Sequence, residues 1–136
     1  MRHYLNIVKA LASDKRLRML MALSSGVLCE GALAELVGIR PATASRHLSV
    51  LMNAGLVDFE KRSRCVCYHL AVAREGSLVS ETLNWVRASL RGDPQTIQDA
   101  ARRATLEAHS PVPTLRWLRH GRHRMKSEGS LCGSSV

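Results

Sequence analysis

The sequence contains no apolar run that approaches the roughly 20 residues needed to cross a bilayer, and its N-terminus has no signal-peptide pattern. It also lacks a glycine-rich phosphate loop, a nucleophile elbow and a metalloprotease helix, which are signatures of several large enzyme classes. We therefore expect a cytoplasmic protein that has no membrane partner and is not an enzyme.

Acidic residues are in short supply, because 11 Asp and Glu stand against 20 Lys and Arg and leave a formal net charge of +9. This excess favours a polyanionic partner, although the charge alone does not separate nucleic acid from an anionic membrane. A chain of 136 residues in which 46% are hydrophobic can bury the core of one domain with an appendage.

A helix-turn-helix pattern begins at Gly31. Gly38 ends a short helical segment, Pro41 stands where the first turn of a helix tolerates proline, and a buried stripe with helical spacing follows: Ala44, Leu48 and Leu51. The opposite side of this second helix is polar, as suits insertion into a major groove, although an ordinary surface helix would also be polar there. The side chains that we expect to contact DNA from this segment are Arg40, Ala42, Thr43, Ser45, Arg46, His47 and Ser49.

The segment after Gly55 predicts a β-hairpin with a basic tip, the wing of a winged helix. Residues 56–59 have strand character, and residues 65–70, CVCYHL, alternate between two faces. A solvated turn would also carry charged side chains, but it would not need three positive charges with no negative charge in the tip. Cations at this tip suit contact with phosphates or with a minor groove, and we add them to the expected DNA contacts: Lys61, Arg62 and Arg64.

The motifs ALASDKRLRML, LAELVGI, SRHLSVL and AGLV, with the YHL end of the hairpin, resemble the ArsR/SmtB family of bacterial transcriptional repressors over roughly residues 5–72. The resemblance implies a mainly α fold with a small β-hairpin, a winged helix-turn-helix with additional C-terminal helices. It also implies a homodimer that binds double-stranded operator DNA and represses metal, metalloid or redox resistance genes. Such a repressor leaves its operator when an inducer binds to cysteines or other ligands.

Some positions depart from the family pattern. The polar residue that usually precedes the recognition helix is Arg40 here, so we expect an N-terminal cap that is weak or supplied differently. The arsenic sensors that the chain resembles often have a Cys-Val-Cys pair after the second helix, and here Cys29 holds the first place while Gly31 holds the second. The family's zinc and nickel sensors place histidines along the late helix, but residues 77–92 contain none, so we expect that site to be absent.

Four cysteines are expected to be mainly reduced in a cytoplasmic protein: Cys29, Cys65, Cys67 and Cys132. In the second strand of the wing, the apolar side chains should face the core: Val66, Tyr68 and Leu70. This leaves Cys65, Cys67 and His69 on the opposite face. If the short extended segment at Leu28 pairs with this strand, Cys29 lies beside Cys67, and three thiols come within a few ångströms of one another.

Convergent thiolates are soft ligands that suit As(III) or Sb(III), whereas four-coordinate zinc would need another donor such as His69. We therefore predict an inducer site for arsenite or antimonite at Cys29, Cys65 and Cys67, with no constitutive cofactor. A persulfide or an oxidant is the second possibility. The cysteines could instead be small buried apolar residues, and the winged helix could be a protein-interaction module without an inducer.

The chain divides into three parts. Residues 1–92 are predicted to form the DNA-binding and dimerisation domain, residues 93–109 a C-terminal helix, and residues 110–136 a basic tail. The resemblance assigns dimerisation to the first helix and to a late helix with an apolar stripe that includes Leu83, Val86 and Leu90. That stripe could also pack within the domain.

Overall fold

The computed structural model describes residues 1–62 and 65–108. In these residues the helices and strands have the following bounds: α1 Arg2–Leu11, α2 Asp14–Ser24, β1 Leu28–Cys29, α3 Glu30–Val37, α4 Pro41–Asn53, β2 Val57–Arg62, β3 Cys65–Leu70, α5 Leu78–Leu90 and α6 Pro94–Ala108. None of the described helices is long and apolar enough to cross a membrane. Arg64, Cys132 and the predicted tail at residues 110–136 lie outside the described residues.

The three strands form one antiparallel sheet in the order β1-β3-β2. The central strand β3 pairs with all of β2 on one side, and on the other it pairs Tyr68 with Leu28 and Cys67 with Cys29. The described chain is thus mainly α with a small β-hairpin, as predicted. The extended segment before α3 completes the sheet as a short third strand.

Helix α4 packs into the core through the apolar side that the sequence predicts to be buried. Ala44, Leu48 and Leu51 have no exposed surface, and they lie in the main core together with residues from α1, α2 and α3. Full burial of one leucine side chain contributes about 1.5–3 kcal/mol of transfer free energy. The stripe therefore determines which side of α4 stays outward.

The turn before α4 follows from its local sequence. Gly38 has φ 75° and ψ 38°, a left-handed conformation that glycine tolerates, and its amide donates to the Ala34 and Glu35 carbonyls to end α3. Arg40 makes no side-chain hydrogen bond as the cap of α4, and Pro41 takes the first helical position, where its missing N–H is not needed. The expectation that Arg40 does not cap the helix in the usual way is confirmed.

Charged side chains, of which Asp99 and Arg103 are buried, fasten α6 to α2 and α3. Arg18 donates to both carboxylate oxygens of Asp99, at 2.8 and 2.9 Å, and also to the Leu36 carbonyl at 3.2 Å. One turn after Asp99, Arg103 donates to backbone carbonyls at the end of α2 and in the segment that leads to β1: Ala22, Gly26 and Val27. Helix α6 is thereby packed onto the helix-turn-helix rather than standing apart from it.

The predicted apolar stripe of α5 packs mainly against other parts of the same chain. Leu83 and Val86 are only 5% and 3% exposed, so these two side chains cannot form the contact with a second copy that the sequence suggested, and the expectation is corrected for them. Leu90, the third residue of the predicted contact, is half-buried. The outward side of α5 presents Trp85 instead, which is 65% exposed. Helix α1 also presents apolar side chains at the surface: Tyr4, Leu5 and Val8.

Candidate nucleic-acid interface and thiol site

The outward side of α4 is polar and accessible to a partner. The predicted DNA contacts that are exposed on this helix and in the turn before it are Arg40, Ala42, Thr43, Ser45, Arg46 and Ser49. Short hydroxyl and methyl side chains let the helix approach closely, and an arginine among them can reach a base edge. This surface therefore has the shape and chemistry that major-groove readout requires.

His47 is placed differently from the other predicted contacts on α4. It is half-buried, and its Nδ1 lies 3.1 Å from Nη1 of Arg16. An arginine can only donate, so Nδ1 is the acceptor and the neutral ring has its proton on Nε2. Burial, followed by the charge of Arg16, lowers the pKa of His47 and keeps the ring neutral near pH 7.

Arg16 is the residue near this interface that the sequence reasoning missed. Besides His47, its guanidinium binds the carbonyls of Ala10 at 2.8 Å and Lys9 at 2.9 Å, which lie near the end of α1. The signal was present in the motif ALASDKRLRML. An arginine in the first turn of one helix can reach the unpaired carbonyls that end the helix before it.

The wing joins its cations and its cysteines in one hairpin. Lys61 is exposed near the end of β2, and Arg62 stands opposite Cys65 in the strand register. Cys67 stands opposite Glu60 on β2 and opposite Cys29 on β1. Because Cys65 and Cys67 belong to β3, which pairs with β2, a change at these two cysteines acts on the strands that form the wing.

Cys29 and Cys67 lie side by side across β1 and β3. Their sulfurs are 3.5 Å apart, and Cys67 is 1% exposed. Cys65 is partly buried and packs with them against Val27. Strand alternation thus brings the three predicted cysteines to one face of the sheet, while Tyr68 joins the main core from the other face.

The Cys29 thiol is strongly biased toward its neutral form. Burial raises the pKa of Cys29 to about 12, and the hydrogen bond with Cys67 and the proximity of Cys65 act in the same direction. A protonated thiol is a weak nucleophile, and a divalent metal ion would have to displace its proton.

No ready-made metal centre is present in residues 1–62 and 65–108, since no three His, Cys, Asp or Glu side chains there are arranged to hold a metal ion. Cys29 and Cys67 are the close pair, and Cys65 does not complete a ligand set in this conformation. His69 is buried, and its Nδ1 is 2.9 Å from the Leu70 carbonyl.

Comparison with known proteins places these features in a family. Residues 13–58 match the model of the bacterial regulatory protein, arsR family. The chain is also 36% identical over 93 residues to the HTH-type transcriptional regulator CmtR of Mycobacterium tuberculosis, which covers 68% of this chain and 79% of CmtR.

Two solved structures are similar to this fold. The homodimeric winged helix-turn-helix DNA-binding domain Mb0332 from Mycobacterium bovis, a possible ArsR-family transcriptional regulator, is 28% identical with a TM-score of 0.56 over 66% of this chain and 80% of that chain. The antimony-specific transcriptional repressor AntR is 27% identical with a TM-score of 0.53 over 73% of this chain and 80% of that chain.

Proposed function

The chain belongs to the arsR family of bacterial regulatory proteins, and from this premise we propose that arsenite or antimonite releases it from operator DNA by binding the thiols of Cys29 and Cys67. Membership of the family makes the chain a DNA-binding transcriptional repressor and not an enzyme. The observation behind the inducer is the 3.5 Å separation of the two sulfurs, with Cys65 on the same face of the sheet. The similarity to AntR, which is specific for antimony, supports the metalloid class.

Trivalent arsenic and antimony reach the site as neutral hydroxides. As each metalloid–sulfur bond forms, the thiol proton leaves with one hydroxide as water, so the reaction consumes protonated thiols and needs no oxidant. The raised pKa of Cys29, about 12, therefore hinders this reaction less than it hinders Cd²⁺ or Zn²⁺, which require thiolates. Cys65, which packs in the same cluster and also hydrogen-bonds with the Cys29 thiol, supplies a third sulfur.

The thiol pair lies where the wing meets the helix-turn-helix. Cys29 directly precedes α3, and Cys67 belongs to the wing strand β3. A metalloid that replaces the two thiol protons and takes Cys65 as a third ligand changes how β3 sits relative to α3, against which α4 packs. To lower operator affinity, the inducer must bind the DNA-free form more tightly than the DNA-bound form by the same factor.

A persulfide or an oxidant is the second candidate, because two sulfurs at 3.5 Å need little movement to form a disulfide. That reaction transfers two electrons to the oxidant and releases two protons. The raised pKa of Cys29 opposes it, since the thiolate is the reactive form of a cysteine. Because the raised pKa slows attack on either reagent, the metalloid ranks first on the similarity to AntR and on the third cysteine at the same face.

The repressor acts as a homodimer on a two-fold symmetric operator in the bacterial cytoplasm, with no constitutive cofactor. The similar Mb0332 domain is a homodimer, which supports this assembly. A two-fold dimer needs a self-complementary patch on each copy. Exposed apolar side chains on α1 and α5 are available for it: Tyr4, Leu5, Val8 and Trp85.

Operator release tests the inducer. The operator is selected from randomised duplexes with the reduced wild-type protein, and release is followed by fluorescence anisotropy. We expect arsenite and antimonite to release the protein at lower concentrations than cadmium, zinc or polysulfide. Cys29→Ser and Cys67→Ser should keep operator affinity and lose the metalloid response, whereas the matched control Cys132→Ser should respond as wild type does.

Two outcomes would contradict the proposal. If arsenite releases both Cys29→Ser and Cys67→Ser as it releases wild type, the inducer site lies elsewhere. If polysulfide releases the wild type and arsenite does not, the thiol pair senses oxidation or persulfidation instead.

A further inference from the structure

Helix α4 is joined to α1 by polar contacts near both ends of α1. His3, near the start of α1, donates from Nε2 to the Ala54 carbonyl, which directly follows α4, at 3.2 Å. At the other end, Arg16 Nη1 donates to Nδ1 of His47, and the other groups of the guanidinium donate to the last carbonyls of α1: Lys9 and Ala10. The recognition helix is thus tied to α1 at two separate points.

These contacts constrain the helices in a way that the apolar stripe does not. Burial of the stripe is non-directional and tolerates small rotations and shifts of α4. Hydrogen bonds require particular distances and angles, and the guanidinium of Arg16 holds its donors in a rigid planar fork. Three acceptors on two helices can satisfy that fork only when α1 and α4 have one relative position.

The relative position of α1 and α4 matters because α1 also presents exposed apolar side chains, among them Tyr4 and Val8. In the proposed homodimer, the position of α4 relative to α1 determines how far apart the two recognition helices lie. That distance must match the spacing of two half-sites, roughly 34–36 Å for one turn of DNA.

We infer that Arg16, His47 and His3 are positioning residues that set the spacing of the two recognition helices across a two-fold operator. This inference rests on the homodimer of the proposed function, and not on the inducer. His47 then serves through the acceptor Nδ1 that it offers to Arg16, in place of the DNA contact expected from the sequence.

The test uses two duplexes and a pair of matched variants. One duplex is the operator selected by the wild-type protein, and the other is the same duplex with one half-site scrambled. His47→Leu removes the acceptor at similar volume, whereas His47→Asn keeps an oxygen that can replace Nδ1. We expect His47→Leu to bind the full duplex roughly tenfold more weakly, the scale of one hydrogen bond to a charged group, with unchanged affinity for the half-site duplex. His47→Asn should restore the full-duplex affinity.

Arg16→Lys is a second, independent variant, because it keeps the charge and loses the planar fork. It should show the same selective loss on the full duplex, and it decides the question if His47→Leu does not fold. Equal losses on both duplexes would indicate that the altered residue acts on DNA directly and would overturn the inference. Failure of His47→Asn to restore binding, or a selected operator without two half-sites, would overturn it as well.

Sedimentation of the wild-type protein distinguishes a failure of the homodimer from a failure of the positioning role. A wild-type monomer at micromolar concentration would contradict the proposed homodimer and remove the basis of this inference. A dimer whose His47→Leu variant binds the full duplex normally would contradict the positioning role alone.

Discussion

The two faces of the three-stranded sheet differ in how much of the fold depends on them. On one face, Tyr68 joins the main core, which includes the fully buried Leu48 of α4. The opposite face holds a small separate cluster in which Val27 and Cys67 are surrounded by partly buried cysteines. The comparison separates two tasks: the main core keeps the recognition helix in place, while the thiol cluster can change its chemistry at little cost to folding.

The largest effect on stability is expected in the main core. Leu48→Ala should lower the free energy of unfolding by about 2–5 kcal/mol, because it removes a buried side chain and leaves a cavity against α4. Urea denaturation followed by circular dichroism measures this loss. A loss below about 1 kcal/mol, the size expected for the thiol cluster, would erase the difference between the two faces.

A smaller effect is expected at Asp99, on the helix that contacts both regions. Burial alone would raise the pKa of Asp99, but hydrogen bonds from Arg18 and Gln95 outweigh it and hold the pKa below its ordinary value of 3.8. The stabilising contribution is therefore present above that value and is lost as the pH falls through the lowered pKa.

Asp99→Asn should cost about 2 kcal/mol at pH 7, because Arg18 loses its charged acceptor. The variant should also lose the part of the acid unfolding that occurs below about pH 4. Urea midpoints measured between pH 2 and pH 7, in wild type and variant, check both effects. Parallel pH profiles for the two proteins would mean that this carboxylate is not the group that titrates.

The thiol cluster should be more tolerant. Cys67→Ala removes one buried sulfur, about the size of a methylene, and should lower the free energy of unfolding by about 1 kcal/mol while operator affinity is kept. Cys65→Ala, at a less buried position on the same strand, is the matched control and should cost less. If Cys67→Ala unfolds the protein as readily as Leu48→Ala does, the thiol face is part of the structural core.

The smallest change in stability is expected at Trp85, which is exposed and belongs to neither region. Trp85→Glu should alter the unfolding of the isolated chain by no more than about 0.5 kcal/mol, yet it should shift the sedimentation of the protein toward the monomer. Asn84→Glu adds a charge to the same helix without removing the indole, and should leave the dimer intact. Dimers of Trp85→Glu would indicate that α5 lies outside the interface.

The sequence predicted the features that depend on the short repeat of side-chain directions along a helix or a strand. Helical spacing identified Leu48 and its neighbours as the buried side of α4, and strand alternation placed Cys65 and Cys67 on the face away from the main core. Antiparallel pairing with the segment before α3 then brought Cys29 beside Cys67. The DNA contacts and the ligand role of the cysteines stay predictions.

The features that the sequence did not predict depend on long side chains and on what covers a surface. Three arginines bind backbone carbonyls of distant segments: Arg16, Arg18 and Arg103. No sequence periodicity links an arginine to such an acceptor, because a long flexible side chain can reach many of them. The stripe at Leu83 and Val86 indicated a buried side of α5, but it did not indicate whether this chain or a second copy buries it. The predicted dimer contact at those residues was wrong for that reason.

The contact between Cys29 and Cys67 joins residues that are 38 positions apart in sequence. The intervening segment contains all of α3, α4 and β2, so a molecule that bridges both sulfurs closes a ring around the DNA-reading part of the protein. Closing a ring of this size restricts the unfolded chain and stabilises the folded one by about 4 kcal/mol in the chain-entropy model. Free of DNA, the bridged protein should therefore resist heat better than the same protein without the inducer.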